Sequence, residues 1–339
     1  MKKLLAQIKA YPYTKYILLG LVLATIPSLV YFDVLKSSYV TLVGVVMIYT
    51  IVSLGLNLLL GWSGLISLGT AGFMGLAAYI SAYMTMNLKM PFEVTLIVSI
   101  LIPVAISVLV GLISLRIEGL YLAIATLAVS EIFRKTFAEF EFITNGFSGK
   151  SVRYPTFFGF FKLDTTMTYL LLVVFMVVIM ILIHNLINSH VGRALNAMRG
   201  SEAAAQAMGI NLLKYRLLAF ALATALTSTA GILYAHFIKY VEPSKWNLGL
   251  SLNILAVIII GGVRSIIGTF VGSLVVFAVP DLVLKQIPYF GKIPNFAYII
   301  NGILIIVVIL YYPAGLIRVF NDGKDAVVKL FKKSRGKTV

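Results

Sequence analysis

Long apolar runs separated by short polar segments are the main pattern along this chain. The runs are rich in Leu, Ile, Val and Ala, and they are continuous rather than alternating, as in residues 170–183. A transmembrane helix needs about 20 mostly apolar residues, whereas the strands of a membrane barrel alternate apolar and polar residues over about 10 positions. The pattern therefore predicts spanning helices. We place ten, near residues 16–34, 39–60, 69–88, 92–115, 119–138, 166–188, 215–238, 248–263, 266–284 and 295–316.

The composition agrees with this pattern. Hydrophobic residues make up 60% of the chain and charged residues 12%, against about 25% charged residues in a soluble domain. We therefore expect an all-α integral membrane protein in which some helices are broken or re-entrant. A soluble chain of 339 residues would suggest two domains, but here we expect a single transmembrane domain over residues 1–339.

Metal and enzyme chemistry have little support in the sequence. The chain has no cysteine, which excludes disulfides and cysteine-based metal sites. His184, His190 and His236 are not in metal-ligand spacing. A membrane enzyme would show His, Asp and Glu clustered near one face, and this chain does not, so we expect no metal site and no catalytic residues.

The distribution of Lys and Arg predicts the orientation. Basic residues collect in 1–15, 190–215 and 318–339, which ten spans place on one side, and cytoplasmic loops carry such an excess. Both termini are therefore expected in the cytoplasm. Lys9 and Lys15 interrupt the apolar core that a signal peptide needs, so the first span is expected to stay. The basic tail, residues 318–339, suits anionic membrane lipid rather than nucleic acid.

A glycine-rich stretch departs from a plain apolar helix. Six glycines fall within residues 55–75, together with several Ser, Thr and Asn residues. Glycine allows a chain to break, and an unwound backbone at membrane depth must be covered by protein or line a watery cavity. One interpretation is a broken helix beside a translocation path. The other is close helix packing through small residues, and both stay open here.

Glu131 is a second departure, because it lies near the end of a predicted span, next to Ser130 and close to Thr126. An acidic residue in such a position is a functional candidate. We favour the alternative that Glu131 pairs locally with Arg134 or Lys135. The loop that follows, residues 139–165, is expected to face outward, and a loop of this length often docks a partner.

The largest predicted cytoplasmic loop, residues 190–215, has the pattern of two short helices. Ser201 is suited to cap the second, with Glu202 in its first turn, where the helix dipole favours an acid. The alanines that follow favour helix, and Gly209 is suited to end it. The loop is thus predicted to form a small knob. Its candidate functional residues are Arg193, Arg199, Ser201, Glu202, Ala203, Ala204 and Gly209.

Glu202-Ala203-Ala204, followed by Gly209, resembles the EAA coupling loop of ABC importer permeases. Other blocks are similar to the branched-chain amino acid permeases of the LivM type: residues 55–79, 119–127, 144–149, 192–209 and 260–272. The resemblance covers about residues 40–317. Two positions depart from the family pattern. Arg264 stands where a small residue is common in the family, and at the pair Gly69-Thr70 the family often has a histidine.

The resemblance implies a transport subunit, not an enzyme, in a prokaryotic cell membrane. It implies two ATPase subunits, a second homologous permease and an extracytoplasmic solute-binding protein as partners. The sequence contains no Gly-x-x-x-x-Gly-Lys-[Ser/Thr] phosphate-binding loop, so ATP and Mg are expected on the partner subunits, and no cofactor on this chain.

The substrate implied by the resemblance is a branched-chain or similar apolar amino acid. Each candidate for the path is also explained by helix packing; the candidates are Asn57, Ser63, Ser67, Thr126 and Asn253. Sugars, nucleosides and urea-like solutes are the nearest alternatives. A secondary transporter or channel is disfavoured, since it would bury charges within its spans. The stretches 61–75 and 261–272 are faintly alike, which an internal repeat or shared composition explains equally well.

Overall fold

The computed structural model describes residues 12–114, 120–283, 296–312 and 315–316, and helices make up most of this part of the chain. The α-helices are α1 (Thr14–Ala24), α2 (Ile26–Tyr31), α3 (Ser38–Asn57), α4 (Thr70–Met86), α5 (Phe92–Ser114), α6 (Leu120–Glu139), α7 (Glu141–Thr144), α8 (Thr165–Asn188), α9 (His190–Gly200), α10 (Glu202–Ala207), α11 (Leu212–Ile238), α12 (Leu248–Gly261), α13 (Ile266–Ser273), α14 (Val279–Val283) and α15 (Phe296–Tyr311). Two π-helical turns, Leu58–Trp62 and Leu274–Ala278, follow α3 and α13, and 3-10 turns cover Gly146–Ser148 and Pro243–Lys245.

Helices overlap all ten segments predicted to span the membrane. Within the described residues, five helical stretches are both long and apolar enough to cross it: Thr14–Tyr31, Ser38–Trp62, Phe92–Ser114, Thr165–Asn188 and Leu212–Ile238. Helices α4, α12 and α15 have 17, 14 and 16 residues, which is short for a bilayer core that takes about 20. The count of ten spans stays a prediction. The basic tail, residues 318–339, and most of the segment 1–15 lie outside the described residues.

The expectation of an all-α fold needs a small correction in the loop between α6 and α8. Strand β1 (Lys150–Ser151) pairs antiparallel with β4 (Tyr240–Val241). Strands β2 (Thr156–Phe157) and β3 (Phe161–Lys162) form a hairpin. These pairs satisfy backbone groups that helices alone would leave open at the turns, and they are too short to show as a period-2 pattern in the sequence.

Helix α11 is the centre of the bundle, packed against α3, α4 and α5, and it is buried over most of its length. The contact with α4 is close because Gly231 faces the backbone of Met74. A Cβ atom at Gly231 would lie 2.1 Å from the Met74 carbonyl oxygen. Glycine here therefore sets the distance between the two helices.

Substituting Gly231→Ala is expected to destabilise the fold, because the added methyl group cannot fit without moving backbone. Overpacking of this kind costs about 1–3 kcal/mol. The thermal unfolding midpoint of the detergent-purified chain should fall by several degrees. Gly302→Ala is the matched control, since nothing lies within 4 Å of a Cβ there. Equal midpoints for the two variants would contradict the close packing of α4 and α11.

Candidate translocation path and coupling surface

Helices α9 and α10 form the predicted helix–turn–helix knob between α8 and α11. The Ser201 hydroxyl oxygen accepts a hydrogen bond from the backbone N–H of Ala204 at 3.3 Å and so caps α10. Gly209 has a φ of +82°, and the N–H groups of Gly209 and Ile210 donate back into the last turn of α10. This is the Schellman arrangement that favours glycine. The predicted shape of the loop is confirmed, while its role stays a prediction.

The tip of the knob is mostly small and apolar. Met208 is 84% exposed, and Ala203 and Ala204 are exposed beside it. Glu202 does not point freely outward, because its carboxylate forms an ion pair with the guanidinium of Arg216, in the second turn of α11. The tip is thus exposed and apolar, while the Glu202–Arg216 ion pair fixes the knob to α11. Such a tip is suited to dock into another protein.

Helix α9 also contacts the transmembrane part of the chain. The Arg199 guanidinium donates to the carbonyl of Gly61, and the Arg264 guanidinium donates to the side-chain oxygen of Asn196. Burial, and then the nearby charge of Arg264, lower the pKa of Arg199. Arg193 instead donates to the ring of the histidine three residues before it, at 2.9 Å. Arg193 also donates to the Asn188 carbonyl at the end of α8, at 3.2 Å, whereas Arg199 joins the knob to the π-helical turn after α3.

Gly61 belongs to the first of two breaks in the helices. After the π-helical turn, residues 64–69 are not helical, and Gly64 has a φ of +75°. Four backbone N–H groups here donate to hydroxyls: Leu68 to Thr126 at 3.0 Å, Gly69 to Ser67 at 3.3 Å, Ala71 to Ser251 at 3.1 Å and Gly72 to Ser130 at 2.9 Å. The broken helix is confirmed. Three of its free N–H donors are satisfied from neighbouring helices and that of Gly69 by Ser67 within the break, as membrane depth requires.

The second break lies between α12 and α13, where Gly262 and Arg264 have φ values of +113° and +67°. Asn57, fully buried at the end of α3, joins the two breaks. Its side-chain oxygen accepts from the Arg264 backbone N–H at 3.0 Å, and its nitrogen donates to the Thr269 hydroxyl at 2.8 Å. The two glycine-rich stretches that look faintly alike in sequence therefore meet in space.

A small cavity of about 20 Å³ lies where the first break faces α11. Ser67 lines it, together with residues that the sequence reasoning missed: Thr70, Phe73, Phe220, Thr224 and Thr227. Thr224 and Thr227 lie three positions apart and so share one face of an apolar helix, a signal that was available in the sequence. The cavity has room for about one water molecule.

The other predicted path residues do not line this cavity. Asn57 and Thr126 bond to the helix breaks, as described. The Ser63 hydroxyl donates to the Leu59 carbonyl, and Asn253 is half-buried on α12. Four of the five candidates therefore lie outside the cavity, and for Asn57, Ser63 and Thr126 the hydrogen bonds fit the packing interpretation.

A larger concave surface of about 690 Å³ lies along one stripe of α6, lined by Ala128, Glu131, Ile132, Lys135, Thr136, Glu139 and Phe140. Glu131 pairs with Arg134 at 2.8 Å, one turn away. The local-pairing interpretation of Glu131 is thus confirmed. Charged side chains along an exposed helical stripe are costly against lipid.

Comparisons with known proteins agree with this architecture. Residues 38–309 match the family model described as branched-chain amino acid transport system, permease component. Over 80% of the chain it is 27% identical to the high-affinity branched-chain amino acid transport system permease protein LivM of Escherichia coli (strain K12), covering 68% of that protein. The Salmonella typhimurium LivM is 28% identical over the same shares. The ribose import permease protein RbsC of Escherichia coli (strain K12) is 30% identical over 26% of this chain and 29% of its own length. No solved structure matches.

Proposed function

Since the chain belongs to the family of branched-chain amino acid transport permease components, we propose that it is the membrane-spanning subunit of an ATP-driven importer. Its substrate would be a branched-chain or similar apolar amino acid, delivered by an extracytoplasmic binding protein. Two ATPase subunits would bind ATP and Mg, and a second homologous permease would complete the membrane part.

The observation that carries the proposal is the continuous contact from the knob to the helix breaks. The exposed tip around Met208 is the surface for an ATPase subunit. Its base is joined to α11 through Glu202 and Arg216. Helix α9 holds both breaks, through Arg199 on Gly61 and through Asn196 on Arg264.

This arrangement suits a two-state device. Closure of the ATPase subunits around ATP would move the knob, and α9 would carry the movement to two segments whose backbone is already non-helical. Helix breaks can change conformation at lower cost than intact helices because fewer internal hydrogen bonds must be exchanged. Each ligand shifts the equilibrium only by its differential affinity for the two states.

The cavity between the first break and α11 is the proposed place where the path opens. Ser67, Thr70 and the two α11 threonines offer hydroxyls for the charged head of an amino acid. Phe73 and Phe220 offer apolar contact for its side chain. Ligand pockets for small molecules are usually about 300–1,000 Å³, so the helices around this cavity must separate before a leucine-sized solute can enter.

Removing both α11 hydroxyls with Thr224→Val and Thr227→Val is expected to lower leucine uptake roughly 30-fold, at about 1 kcal/mol for each lost hydrogen bond. Uptake of labelled leucine into proteoliposomes that hold the assembled transporter is the measurement. Thr229→Val is the matched control, because the Thr229 hydroxyl bonds to the Ala225 carbonyl at 2.8 Å and does not line the cavity. Equal uptake by the double variant and the control would remove this cavity from the path.

The stripe on α6 is the proposed contact with the second permease. Lys135 and Glu139 lie on it without an ion pair among the described residues, and a protein partner offers them polar groups that lipid does not. Cross-linking of cysteines introduced at Ala128 and Thr136 to the partner permease tests this contact. The contact would be excluded if the partner permease cross-linked only to cysteines at lipid-facing positions outside the stripe.

The function as a whole is tested by copurification and by ligand retention. The chain should copurify with an ATPase pair, and the partner binding protein should retain leucine, isoleucine or valine. A sugar permease is the second candidate, favoured by the partial match to RbsC. Retention of ribose, with no amino acid retained, would decide for that alternative.

A further inference from the structure

A basic cleft lies at the end of the helices opposite the knob, between the turn that joins α4 to α5 and the β2–β3 hairpin. Its volume is about 340 Å³. Lys89 approaches from the turn, Arg153 from the segment before β2 and Lys162 from β3. Thr85, Tyr154 and Thr156 add hydroxyls to the lining. No acidic side chain lines the cleft.

The cations of the cleft have no acidic partner. Within the described residues, Lys89, Arg153 and Lys162 form no ion pair. A fourth cation, Lys239, lies with its Nζ 4.5 Å from the centre of the Tyr154 ring. The neighbouring carboxylates bond to backbone: Asp164 accepts from the N–H of Met167 at 2.7 Å, and Glu93 accepts through Oε1 from that of Phe158 at 3.0 Å. Within the described residues the Glu93 Oε2 atom has no hydrogen-bond partner.

The Tyr154 hydroxyl reports the same positive environment. Burial, and to a smaller extent the charge of Asp164, raise the pKa of Tyr154, but hydrogen bonds to Thr165 and Lys239, together with the charge of Lys239, outweigh both and lower it. The cleft therefore stabilises negative charge at its inner wall. A ligand with an anionic group would gain from this field without first displacing a carboxylate of the protein.

The surroundings of the cleft indicate where such a ligand comes from. Both helices that begin beside it, α5 and α8, expose apolar side chains along their length, among them Leu101 on α5 and Val174 on α8. The hairpin exposes Phe158 at 75% and Phe160 at 80%, and aromatic side chains are enriched at the membrane–water interface. The cleft therefore opens at the level of lipid headgroups, beside helices that face acyl chains.

We propose that this cleft binds the phosphate headgroup of an anionic phospholipid in the outer leaflet. Lys89, Arg153 and Lys162 neutralise the phosphate, the hydroxyls orient it, and the acyl chains run along the apolar faces of α5 and α8. The hairpin with Phe158 and Phe160 anchors that edge of the protein in the interface. The site does not depend on which solute is transported.

The experiment measures the thermal unfolding midpoint of the detergent-purified full chain with added lipid. Phosphatidylglycerol should raise the midpoint, while phosphatidylcholine with the same acyl chains should not. The triple variant Lys89→Gln, Arg153→Gln, Lys162→Gln should bind phosphatidylglycerol on the order of 100-fold more weakly, at roughly fivefold for each cation near a lipid surface. Arg153→Gln alone should lose about fivefold, and it serves if the triple variant elutes as aggregate.

Lys36→Gln is the matched control, because Lys36 is an exposed lysine outside the cleft and should respond to phosphatidylglycerol as the unaltered chain does. Four results would overturn the proposal. The first two are an equal shift of the unfolding midpoint with phosphatidylcholine, and an unchanged response to phosphatidylglycerol in the triple and single variants. The third is a midpoint raised by inorganic phosphate but not by phosphatidylglycerol. The fourth is that the variants lose docking of the binding protein while their response to phosphatidylglycerol is intact.

Discussion

Substituting Met208→Asp should abolish productive association with the ATPase subunits while leaving the permease folded. Met208 is 84% exposed at the tip of the knob, so the change costs the isolated fold little, within about 0.5 kcal/mol. In the proposed complex the same side chain is buried, and an unpaired carboxylate in a protein interface costs several kcal/mol. Affinity should fall at least 100-fold, at about 1.4 kcal/mol for each tenfold.

The measurement is copurification of ATPase subunits with the tagged permease, followed by leucine uptake in proteoliposomes. Met167→Asp is the matched control, an exposed methionine in the first turn of α8, at the opposite end of that helix from the knob and outside the basic cleft. Met208 is a sharper test than Glu202, because Glu202→Arg would also place two guanidinium groups together at Arg216. Full ATPase association by the Met208 variant would rule out docking through this tip.

The second large effect is expected at Asn57, where Leu would leave the Arg264 N–H without its hydrogen-bond partner and remove the bond to Thr269, whose hydroxyl still donates to the Ser265 carbonyl at 2.8 Å. An unsatisfied buried group costs about 1–3 kcal/mol, so the free energy of unfolding should fall by roughly 2 kcal/mol. Uptake should fall with it, because the two helix breaks would no longer be tied together. Thermal unfolding and leucine uptake, measured on the same preparation, give both quantities.

Asn87→Leu provides the comparison for Asn57, since Asn87 is exposed at the end of α4 and should change the unfolding midpoint little. The two roles considered for Asn57 give different results. If it contacted substrate, uptake would fall with an unchanged midpoint, whereas the hydrogen bonds to the second break require both to fall. An unchanged midpoint would therefore favour the path and contradict the structural role.

The elements near each other in sequence were the ones that could be predicted. The knob follows from the cap at Ser201, the alanines after it and the stop at Gly209, all of which act within two turns of helix. The pairing of Glu131 with Arg134 is equally local. The β1–β4 pair was not predictable in this way, because the two strands lie on opposite sides of α11 in sequence. The β2–β3 hairpin is local, but its strands have two residues each, too few to show an alternating pattern.

The site was predicted less completely than the fold. Hydroxyls in an apolar chain look the same in sequence whether they cap a broken helix or face a cavity. Thr126 and Ser67 were both candidates for the path, yet Thr126 satisfies the N–H of Leu68, while Ser67 lines the cavity. Ser130 and Ser251 cap the same helix start from two other helices, and only their positions in space reveal that.

The sequence by itself determined that this chain forms apolar helices, where most of them begin and end, and that one polar loop forms a knob. Those features depend on hydrophobicity and on contacts within a few residues, which the order of amino acids specifies directly. Only the tertiary structure decided that Asn57 joins two breaks 207 residues apart, that Arg199 ties the knob to one of them, and that Lys89, Arg153 and Lys162 share a cleft. These contacts join distant segments, and the packing of α3, α9 and α11 against their neighbours brings them together.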